Sequence, residues 1–447
     1  MKHLTSIILA LLFPVAILAQ FVGEWQGKLS MGQAELTLVF KFAQQDSTLT
    51  GSLDVPQQGA KDLPIDKIKV DGNKIALTIS AIGLDYEGSL SEGDMPTIVG
   101  EIRQMGYTFP VTLKPNIKVN RPQTPKGPFP YLQEEVVFYN STDGNKLSGT
   151  LVKPLMMNSK TPVAVLISGS GQQNRDEEIM EHKPFWVIAD YLARNGIATL
   201  RYDDRGIGGS EAIGLTTATS ETFKGDALAA INYLKNKGLE NVGVIGHSEG
   251  GLIAFMLGAE VEDLKFVVSL AGTAVSGDQI LLEQNRLLLE KSGVSADIAA
   301  SYCALLTDIF DLKRNNAQFD REGKIAELKN KYSNLPSQMT DNIAALLQSL
   351  AWMDYFISYN PTEALKKITC KVLALNGDKD VQVVAKTNLD ALKQHISAEQ
   401  LTTKIYPNLN HLFQHCNTGM PNEYYQIEET IAPEVLKDIA NWIKECK

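Results

Sequence analysis

The chain contains the stretch Val242-Gly243-Val244-Ile245-Gly246-His247-Ser248-Glu249-Gly250-Gly251, in which a short apolar run leads directly into a G-x-S-x-G motif. An apolar run of this length is typical of a strand that is buried on both faces of a parallel sheet. The residues that follow are apolar at helical spacing, so the segment predicts a strand, a tight turn and a helix. The glycines leave room for that turn, which holds Ser248 out at the end of the sheet as a nucleophile.

The segments around this motif alternate between strand and helix patterns. Strand patterns at Val163–Ile167, 197–202 and Phe266–Leu270 are separated by helical patterns, of which the clearest are at 185–194 and 224–237. Strands that alternate with helices in this way predict a doubly wound, mostly parallel α/β sheet.

This alternation stops at 276–360, where the patterns are nearly all helical, and it resumes with a strand pattern at 372–375. A helical insertion between two strands predicts a cap over the ends of the sheet, and the alternative is an independent helical domain. We place the whole α/β domain with its cap at 131–447.

A serine hydroxyl is a poor nucleophile until a base removes its proton, and the chain has only six histidines. On such a sheet the chain order is serine, acid, histidine, so the base is expected after the last strands. His411 lies in the loop after a strand pattern at 403–406 and is the predicted base. His415, about one helical turn later, is the alternative.

The acid is expected in the turn after the strand pattern at 372–375, which reads Asn376-Gly377-Asp378-Lys379-Asp380-Val381. The pattern G-x-x-D followed by valine resembles the acid turn of many hydrolases and favours Asp380. Asp380 would hold the imidazole in one tautomer and stabilise the imidazolium that forms during the reaction. Asp378 is the other candidate, and we expect it to stabilise the turn through backbone N–H groups.

Acyl transfer also needs hydrogen-bond donors for the negatively charged oxygen of the tetrahedral intermediate. The backbone N–H of Glu249, directly after the nucleophile, is the first expected donor. The second is expected in the loop after Val163–Ile167, where Ser170 is the predicted donor and Gly171 the next choice. A plain flexible loop is the alternative interpretation of this segment.

Residues 20–115 show a different pattern. Short runs of alternating apolar and polar residues, separated by turn signals, predict an all-β domain. About eight antiparallel strands of this length could form a small lipocalin-like barrel or a sandwich. The prolines at 116–130 predict a semi-rigid linker. The β domain contains no histidine and no acidic cluster, so we expect no chemistry in it.

The first nineteen residues, 1–19, combine an early lysine with an apolar stretch that is too short to span a bilayer, and they predict a signal peptide. We therefore expect a secreted or periplasmic protein without stable membrane insertion after cleavage; a membrane anchor is the alternative. An oxidising compartment permits disulfides. The pairing of the four cysteines is left open: Cys303, Cys370, Cys416 and Cys446.

The composition excludes some partners. A formal charge of −10 without a dense basic run makes nucleic acid a poor partner. Histidines and carboxylates do not cluster at metal-ligand spacing, and no G-x-G-x-x-G follows an early strand. We therefore expect neither a metal nor a nucleotide cofactor, and the oligomeric state is open.

Several motifs together resemble the EstD-type carboxylesterases of the α/β-hydrolase superfamily. They are Ser168-Gly169-Ser170-Gly171 with Asn174-Arg175-Asp176, Leu200 to Gly206, Val244 to Gly251, and Asn410-His411. The resemblance covers about 131–447. It implies an α/β-hydrolase fold with an N-terminal β domain and a helical cap.

The same resemblance implies hydrolysis of esters with short- to medium-chain acyl groups, without a cofactor and through an acyl-enzyme intermediate. Many relatives have histidine where this chain has Ser168. The oxyanion donors are backbone groups, so we expect little catalytic loss from this departure. The segment Asp203-Asp204-Arg205-Gly206 is interpreted as structural, holding the loop after its strand.

Two other functions are considered. A serine aminopeptidase would need an acidic pocket in the cap, for which Glu283, Glu290 and Asp354 are available. A non-catalytic protein that binds a ligand through its β domain is the second, and the complete Ser-Asp-His set argues against it.

Overall fold

The chain forms two compact units, Met1–Val119 and Asn120–Lys447, in a computed structural model. The structure describes residues 20–31, 34–45, 48–91, 96–116, 120–314, 320–348 and 350–446. The predicted signal peptide, 1–19, lies outside the described residues. Each unit has its own hydrophobic core.

The first unit is a nine-stranded antiparallel sheet with the order β4-β3-β2-β1-β9-β8-β7-β6-β5. Its strands are β1 (Gly23–Met31), β2 (Ala34–Gln45), β3 (Thr48–Val55), β4 (Ala60–Pro64), β5 (Lys67–Asp71), β6 (Lys74–Ile79), β7 (Leu84–Ser91), β8 (Thr97–Gln104) and β9 (Tyr107–Pro115). The predicted all-β domain is confirmed, with one short strand, β4, that the pattern of alternation did not indicate.

The core of this unit contains side chains from strands that lie near opposite edges of the sheet. Leu53 of β3 and Ile75 of β6 belong to the same buried cluster, which also contains Trp25 and Phe40. The N–H of Ile65 donates to the carbonyl of Gly51 at 3.0 Å, which joins β3 to the segment before β5. The sheet therefore curls round one core, because one face of each strand carries the apolar residues.

The second unit is built on an eight-stranded sheet with the order β10-β11-β13-β12-β14-β15-β16-β17. Its strands are β10 (Tyr131–Tyr139), β11 (Lys146–Pro154), β12 (Val163–Ile167), β13 (Ala198–Tyr202), β14 (Val242–His247), β15 (Phe266–Leu270), β16 (Lys371–Gly377) and β17 (Leu401–Tyr406). Strand β11 pairs antiparallel with both β10 and β13, and the pairings from β13 to β17 are all parallel. The predicted α/β-hydrolase fold is confirmed by this order.

Helices cover both faces of the sheet, as continuous apolar strands require. The helices are α1 (Pro184–Arg194), α2 (Ser220–Asn236), α3 (Glu249–Glu260), α4 (Gly277–Lys291), α5 (Ala296–Arg314), α6 (Arg321–Lys331), α7 (Ser337–Thr340), α8 (Ile343–Leu346), α9 (Ala351–Ser358), α10 (Thr362–Leu365), α11 (Ala385–His395) and α12 (Pro433–Glu445). Helices α2, α3 and α11 share one buried cluster with the sheet, and α1 and α12 share the other.

Helices α4 to α10 lie between β15 and β16, where the helical insertion 276–360 was predicted, and the described part of this insertion contains no strand. The insertion has a core of its own, which includes Leu305, Ile309 and Leu328. A second small cluster joins Phe356 of α9 to Leu252 of α3. The cap thus packs on the helix that follows the G-x-S-x-G motif.

The predicted linker spans 116–130, and from Asn120 onward it belongs to the second unit. The guanidinium of Arg121 donates to the carbonyls of Met180, Tyr425 and Ile427 at 2.9, 2.8 and 3.1 Å. Gln123 adds a bond from its side-chain amide to the carbonyl of Ile431 at 2.7 Å. These polar anchors hold the segment on the α/β unit, which a count of prolines does not reveal.

Two further findings concern the environment of the chain. Within the described ranges, every helix is too short or too polar to cross a bilayer. All four cysteines are free thiols in the structure, and burial raises the pKa of Cys370 and Cys446 to about 11.

Candidate active site

Ser248 stands in the turn between β14 and α3, with a φ of 54° and a ψ of −119°. The two flanking glycines explain how the chain makes this turn. A Cβ on Gly246 would lie 2.0 Å from the carbonyl oxygen of Gly250, and a Cβ on Gly250 would lie 2.1 Å from that of Ile167. Any side chain at either position would therefore break the turn that exposes Ser248.

The predicted acid and base meet. Nδ1 of His411 lies 2.8 Å from Oδ2 of Asp380, and both side chains are buried. The other carboxylate oxygen of Asp380 accepts the N–H groups of Gln382 and Val383 at 2.8 and 2.9 Å. With Asp380 held in this way, the imidazole presents Nδ1–H to the carboxylate and keeps Nε2 as the acceptor.

The turn after β16 and the loop after β17 are packed directly on each other. A Cβ on Gly377 would lie 2.1 Å from the carbonyl oxygen of Leu409, so only glycine allows this approach. Asp378 accepts the N–H of Asn408 at 2.6 Å and ties the two segments together. His415, the alternative base, points away: its side chain is 52% exposed and bonds to Glu429.

Ser248, His411, Ser170 and Glu249 all line one cavity of about 300 Å³. Gly171, the second choice for an oxyanion donor, is exposed and is not one of the described residues that line it. The structure therefore brings together four of the predicted positions and holds Asp380 directly behind His411. It leaves Gly171 outside.

The loop after β12 is pressed against the nucleophile turn. A Cβ on Gly169 would lie 3.2 Å from Cβ of Ser248, a tighter contact than neighbouring side chains usually make. The N–H of Gly169 is engaged by Glu177 at 2.8 Å. Within the part of the chain that the structure describes, no protein acceptor binds the N–H of Ser170, which leaves it available to a substrate oxygen.

Asp204 holds this loop in place. Oγ of Ser168 donates to both carboxylate oxygens of Asp204, at 2.9 and 2.8 Å, and the N–H of Gln173 donates at 2.9 Å. Burial raises the pKa of Asp204 to about 7, against the hydrogen bonds that favour its charged form. The segment that begins at Asp203 thus also positions the predicted oxyanion loop, and the side chain of Ser168 is one of its contacts.

The side chain of Glu249 links the nucleophile turn to the cap, a contact that sequence reasoning missed. Its carboxylate is buried and accepts Oγ–H of Ser220 at 2.6 Å. Nε1–H of Trp352, on cap helix α9, donates to both carboxylate oxygens at 2.8 and 3.0 Å. A charged residue inside an otherwise apolar helix start was the available signal, because such residues are rarely buried without partners.

Two further residues at the cavity were also missed, His247 and Glu177. The G-x-S-x-G motif specifies its serine and glycines and leaves the position of His247 open. Burial opposes charge on His247, but the adjacent Glu177 carboxylate outweighs this, so the pKa of His247 is raised. An acidic residue directly after the Asn174-Arg175-Asp176 motif was the only sequence signal for Glu177.

Comparisons with known proteins find similar hydrolases. A sequence model of a hydrolase family described as serine aminopeptidase, S33, matches residues 184–415. The esterase EstD of Thermotoga maritima is 27% identical over 284 residues, which are 63% of this chain and 62% of that protein. An acyl transferase of Photobacterium leiognathi is 32% identical over 93 residues, 21% of this chain and 29% of its own length.

Among solved structures, an esterase of Pyrococcus furiosus aligns with a TM-score of 0.42 and 14% identity, over 74% of this chain and 98% of its own. The chain spans less than two thirds of the length of the two curated relatives, 62% of the first and 29% of the second.

Proposed function

The chain belongs to the hydrolase family described as serine aminopeptidase, S33, and we propose on that premise that it is a serine hydrolase that cleaves carboxylic esters. One observation carries the proposal. Ser248 stands in a strained turn and lines the same cavity as His411, and Nδ1 of His411 lies 2.8 Å from Oδ2 of Asp380. The name of the relative EstD, an esterase, supports esters as the substrate class.

In the proposed reaction, Oγ of Ser248 attacks the ester carbonyl while Nε2 of His411 takes its proton. The backbone N–H groups of Glu249 and Ser170 bind the oxyanion of the tetrahedral intermediate. His411 then returns the proton to the departing alcohol, and an acyl-enzyme on Ser248 remains. His411 then takes a proton from water, whose oxygen attacks the acyl carbon. The bond from that carbon to Oγ of Ser248 breaks, His411 returns the proton to Oγ, and the carboxylic acid is released.

The shape of the cavity supports short- to medium-chain acyl groups. Its volume of about 300 Å³ is at the lower end of the range of ligand pockets. The cap contributes the apolar side chains of Ile280, Leu281 and Phe356 to the lining. A small apolar pocket favours an acyl chain of a few carbons over a long or charged one.

Export is part of the proposal and rests on the composition of 1–19. The charged start, the short apolar stretch and the small residue before Gln20 support a leader that is removed. We place the mature protein outside the cytoplasm, as a secreted or periplasmic enzyme.

Aminopeptidase activity is the second candidate, favoured by the family description. The acids considered for binding a substrate amine have other partners: Glu290 pairs with Arg286, Asp354 pairs with Lys313, and Oε1 of Glu283 accepts from Thr387. Oε2 of Glu283 is buried and has no hydrogen-bond partner among the described residues. None of these three belongs to the described lining of the cavity, so esters remain the preferred substrates.

The test is hydrolysis of p-nitrophenyl acetate, butyrate and octanoate beside alanine p-nitroanilide, with a fluorophosphonate label as a second readout. Ser248→Ala should lower kcat about 10⁶-fold and abolish labelling, because the nucleophile is lost. Ser91→Ala, at an exposed serine of β7, should behave like the wild type. More than a tenth of the wild-type kcat in Ser248→Ala, or faster cleavage of the anilide than of every ester, would contradict the proposal.

A further inference from the structure

The ring of His247 is held between two groups that lie in different loops. Nδ1 of His247 lies 2.9 Å from Oε1 of Glu177, and Nε2 lies 3.1 Å from the carbonyl oxygen of His411. The rings of His247 and His411 are 4.7 Å apart between centroids. His247 also precedes Ser248 directly in the chain, so it touches the candidate base and nucleophile at once.

Glu177 connects the same ring to the oxyanion loop. Oε1 of Glu177, the atom bonded to His247, also accepts the N–H of Gly169 at 2.8 Å. The side chain of Glu177 is only 7% exposed, and its backbone has a positive φ of 50°. A non-glycine residue adopts such a conformation only where surrounding contacts compensate for the strain, here to bring a carboxylate under the loop.

The two partners of the His247 ring decide its protonation. A carbonyl oxygen can only accept a hydrogen bond, and an ionised carboxylate can only accept as well. A neutral imidazole has one N–H and could satisfy one of them, whereas an imidazolium has two and satisfies both. The bond from Gly169 favours the ionised form of Glu177, because it places a second donor on the same oxygen.

We propose that Glu177 and the imidazolium of His247 form a buried ion pair whose role is to position the base loop and the oxyanion loop against Ser248. The inference rests on the proposed hydrolase function. One continuous chain of bonds runs from the N–H of Gly169 through Glu177 and His247 to the backbone of His411. His247 and Glu177 are positioning residues, since they act through His411 and Gly169.

The arrangement matters because the reacting groups come from three separate segments. Ser248 follows β14, His411 follows β17, and Gly169 and Ser170 follow β12. A displacement of about 1 Å between such groups costs up to roughly 100-fold in rate. A fixed pair between the three segments prevents such displacements more effectively than separate contacts to solvent would.

The first test is the isosteric change Glu177→Gln. The amide oxygen of glutamine can still accept both bonds, so this change keeps the shape of the side chain and removes the negative charge that stabilises the imidazolium. We expect kcat toward p-nitrophenyl butyrate to fall on the order of tenfold to 100-fold, with a much smaller change in KM. Glu178→Gln, at the exposed neighbouring position, is the matched control and should keep the wild-type kcat.

The second test observes the ring directly and does not depend on catalysis. In ¹⁵N-histidine-labelled protein at pH 8, where an ordinary imidazole with a pKa of about 6.5 is neutral, His247 should show two protonated ring nitrogens. His247→Asn assigns this signal by its loss. In Glu177→Gln the ring should show one protonated nitrogen.

The outcomes separate this proposal from the proposed function. A singly protonated His247 ring in the wild type, or an unchanged kcat in a folded Glu177→Gln variant, would overturn the positioning role. Absence of ester hydrolysis and of fluorophosphonate labelling in the wild type would instead overturn the hydrolase function, whatever the ring signal shows.

Discussion

Ser248 keeps a backbone conformation that side-chain-bearing residues rarely adopt, and its surroundings enforce it. A positive φ at a non-glycine residue costs on the order of 1–3 kcal/mol and persists only when neighbouring contacts over-determine it. Here the N–H of Ser248 donates to the carbonyl of Leu270 at 2.9 Å, and the turn closes between Gly246 and Gly250. This backbone conformation places the hydroxyl of Ser248 at the cavity, away from the buried face of the sheet.

The two histidines of the last loop, His411 and His415, should differ in their effect on catalysis, because only His411 is expected to act as the base. His411→Gln should lower kcat for ester hydrolysis by about 10⁴-fold or more, because the amide cannot take the proton of Ser248. His415→Gln should change kcat little, since that side chain is largely exposed and bonded to Glu429. Steady-state kinetics with p-nitrophenyl butyrate measures both; activity in His411→Gln with loss in His415→Gln would reverse the assignment.

Among the elements, cap helix α9 and elbow helix α3 are joined by polar and apolar contacts together. Trp352 donates to Glu249, and its ring stacks on Phe356 at 5.3 Å between centroids. Phe356 in turn packs against Leu252 of α3. The N–H of Glu249 is an expected oxyanion donor. A displacement of α9 would therefore be transmitted to this donor through the side chain of Glu249.

Trp352→Phe tests this link, because it keeps an aromatic ring at the stacked position and removes the N–H together with the pyrrole part of the indole. The buried Glu249 carboxylate then loses one of its donors, which should lower the free energy of unfolding by about 1–3 kcal/mol. We expect kcat/KM to fall several-fold as well. Trp442→Phe is the control: it also removes an indole N–H, at 3.3 Å from Thr402 on an exposed part of the chain. Equal losses in the two variants would mean that the cap contact has no special role.

All the described residues that line the candidate cavity lie between Gly169 and Leu412 and so belong to the second unit. Parallel strands bring their carboxyl ends to one edge of the sheet, and β12, β14, β16 and β17 each end near a functional residue. The predicted chemistry is therefore a property of the α/β unit alone. The first unit has its own core, and we assign no part of the reaction to it.

The stability of the whole molecule should depend on pH through His182. This side chain is buried between Oγ1 of Thr430 and the carbonyl of Tyr424, at 2.9 and 3.0 Å. Burial, together with the positive charge of Arg121, lowers the pKa of His182 to about 4. The unfolded chain takes up this proton near pH 6.5, so the contribution is complete above that pH and is lost as pH falls toward 4.

The loss should be on the order of 3 kcal/mol in the free energy of unfolding. Urea unfolding at pH 7.5 and pH 4.5 measures it, and His182→Gln should show a smaller difference between the two values than the wild type does. His395→Gln, at the end of α11, should keep the wild-type difference. An unchanged pH dependence in His182→Gln would refute the assignment.

Much of this protein could be predicted from local pattern. The period of apolar residues indicated the parallel strands and the helical insertion, because burial on one or two faces leaves a periodic trace in the chain. The G-x-S-x-G turn, the G-x-x-D turn and the loop of His411 were each recognisable because the required backbone restricts the residues nearby. In the structure, Nδ1 of His411 lies 2.8 Å from Oδ2 of Asp380.

Contacts between distant segments left no such trace, and only the folded chain decided them. Glu177 meets His247 across 70 positions, and Glu249 meets Trp352 across 103. Gly171 and Gly169 look equivalent in the chain, yet only Gly169 is packed on Ser248. A hydrogen bond between side chains constrains two residues that may stand anywhere in the chain, so it imposes no period and no fixed spacing on either.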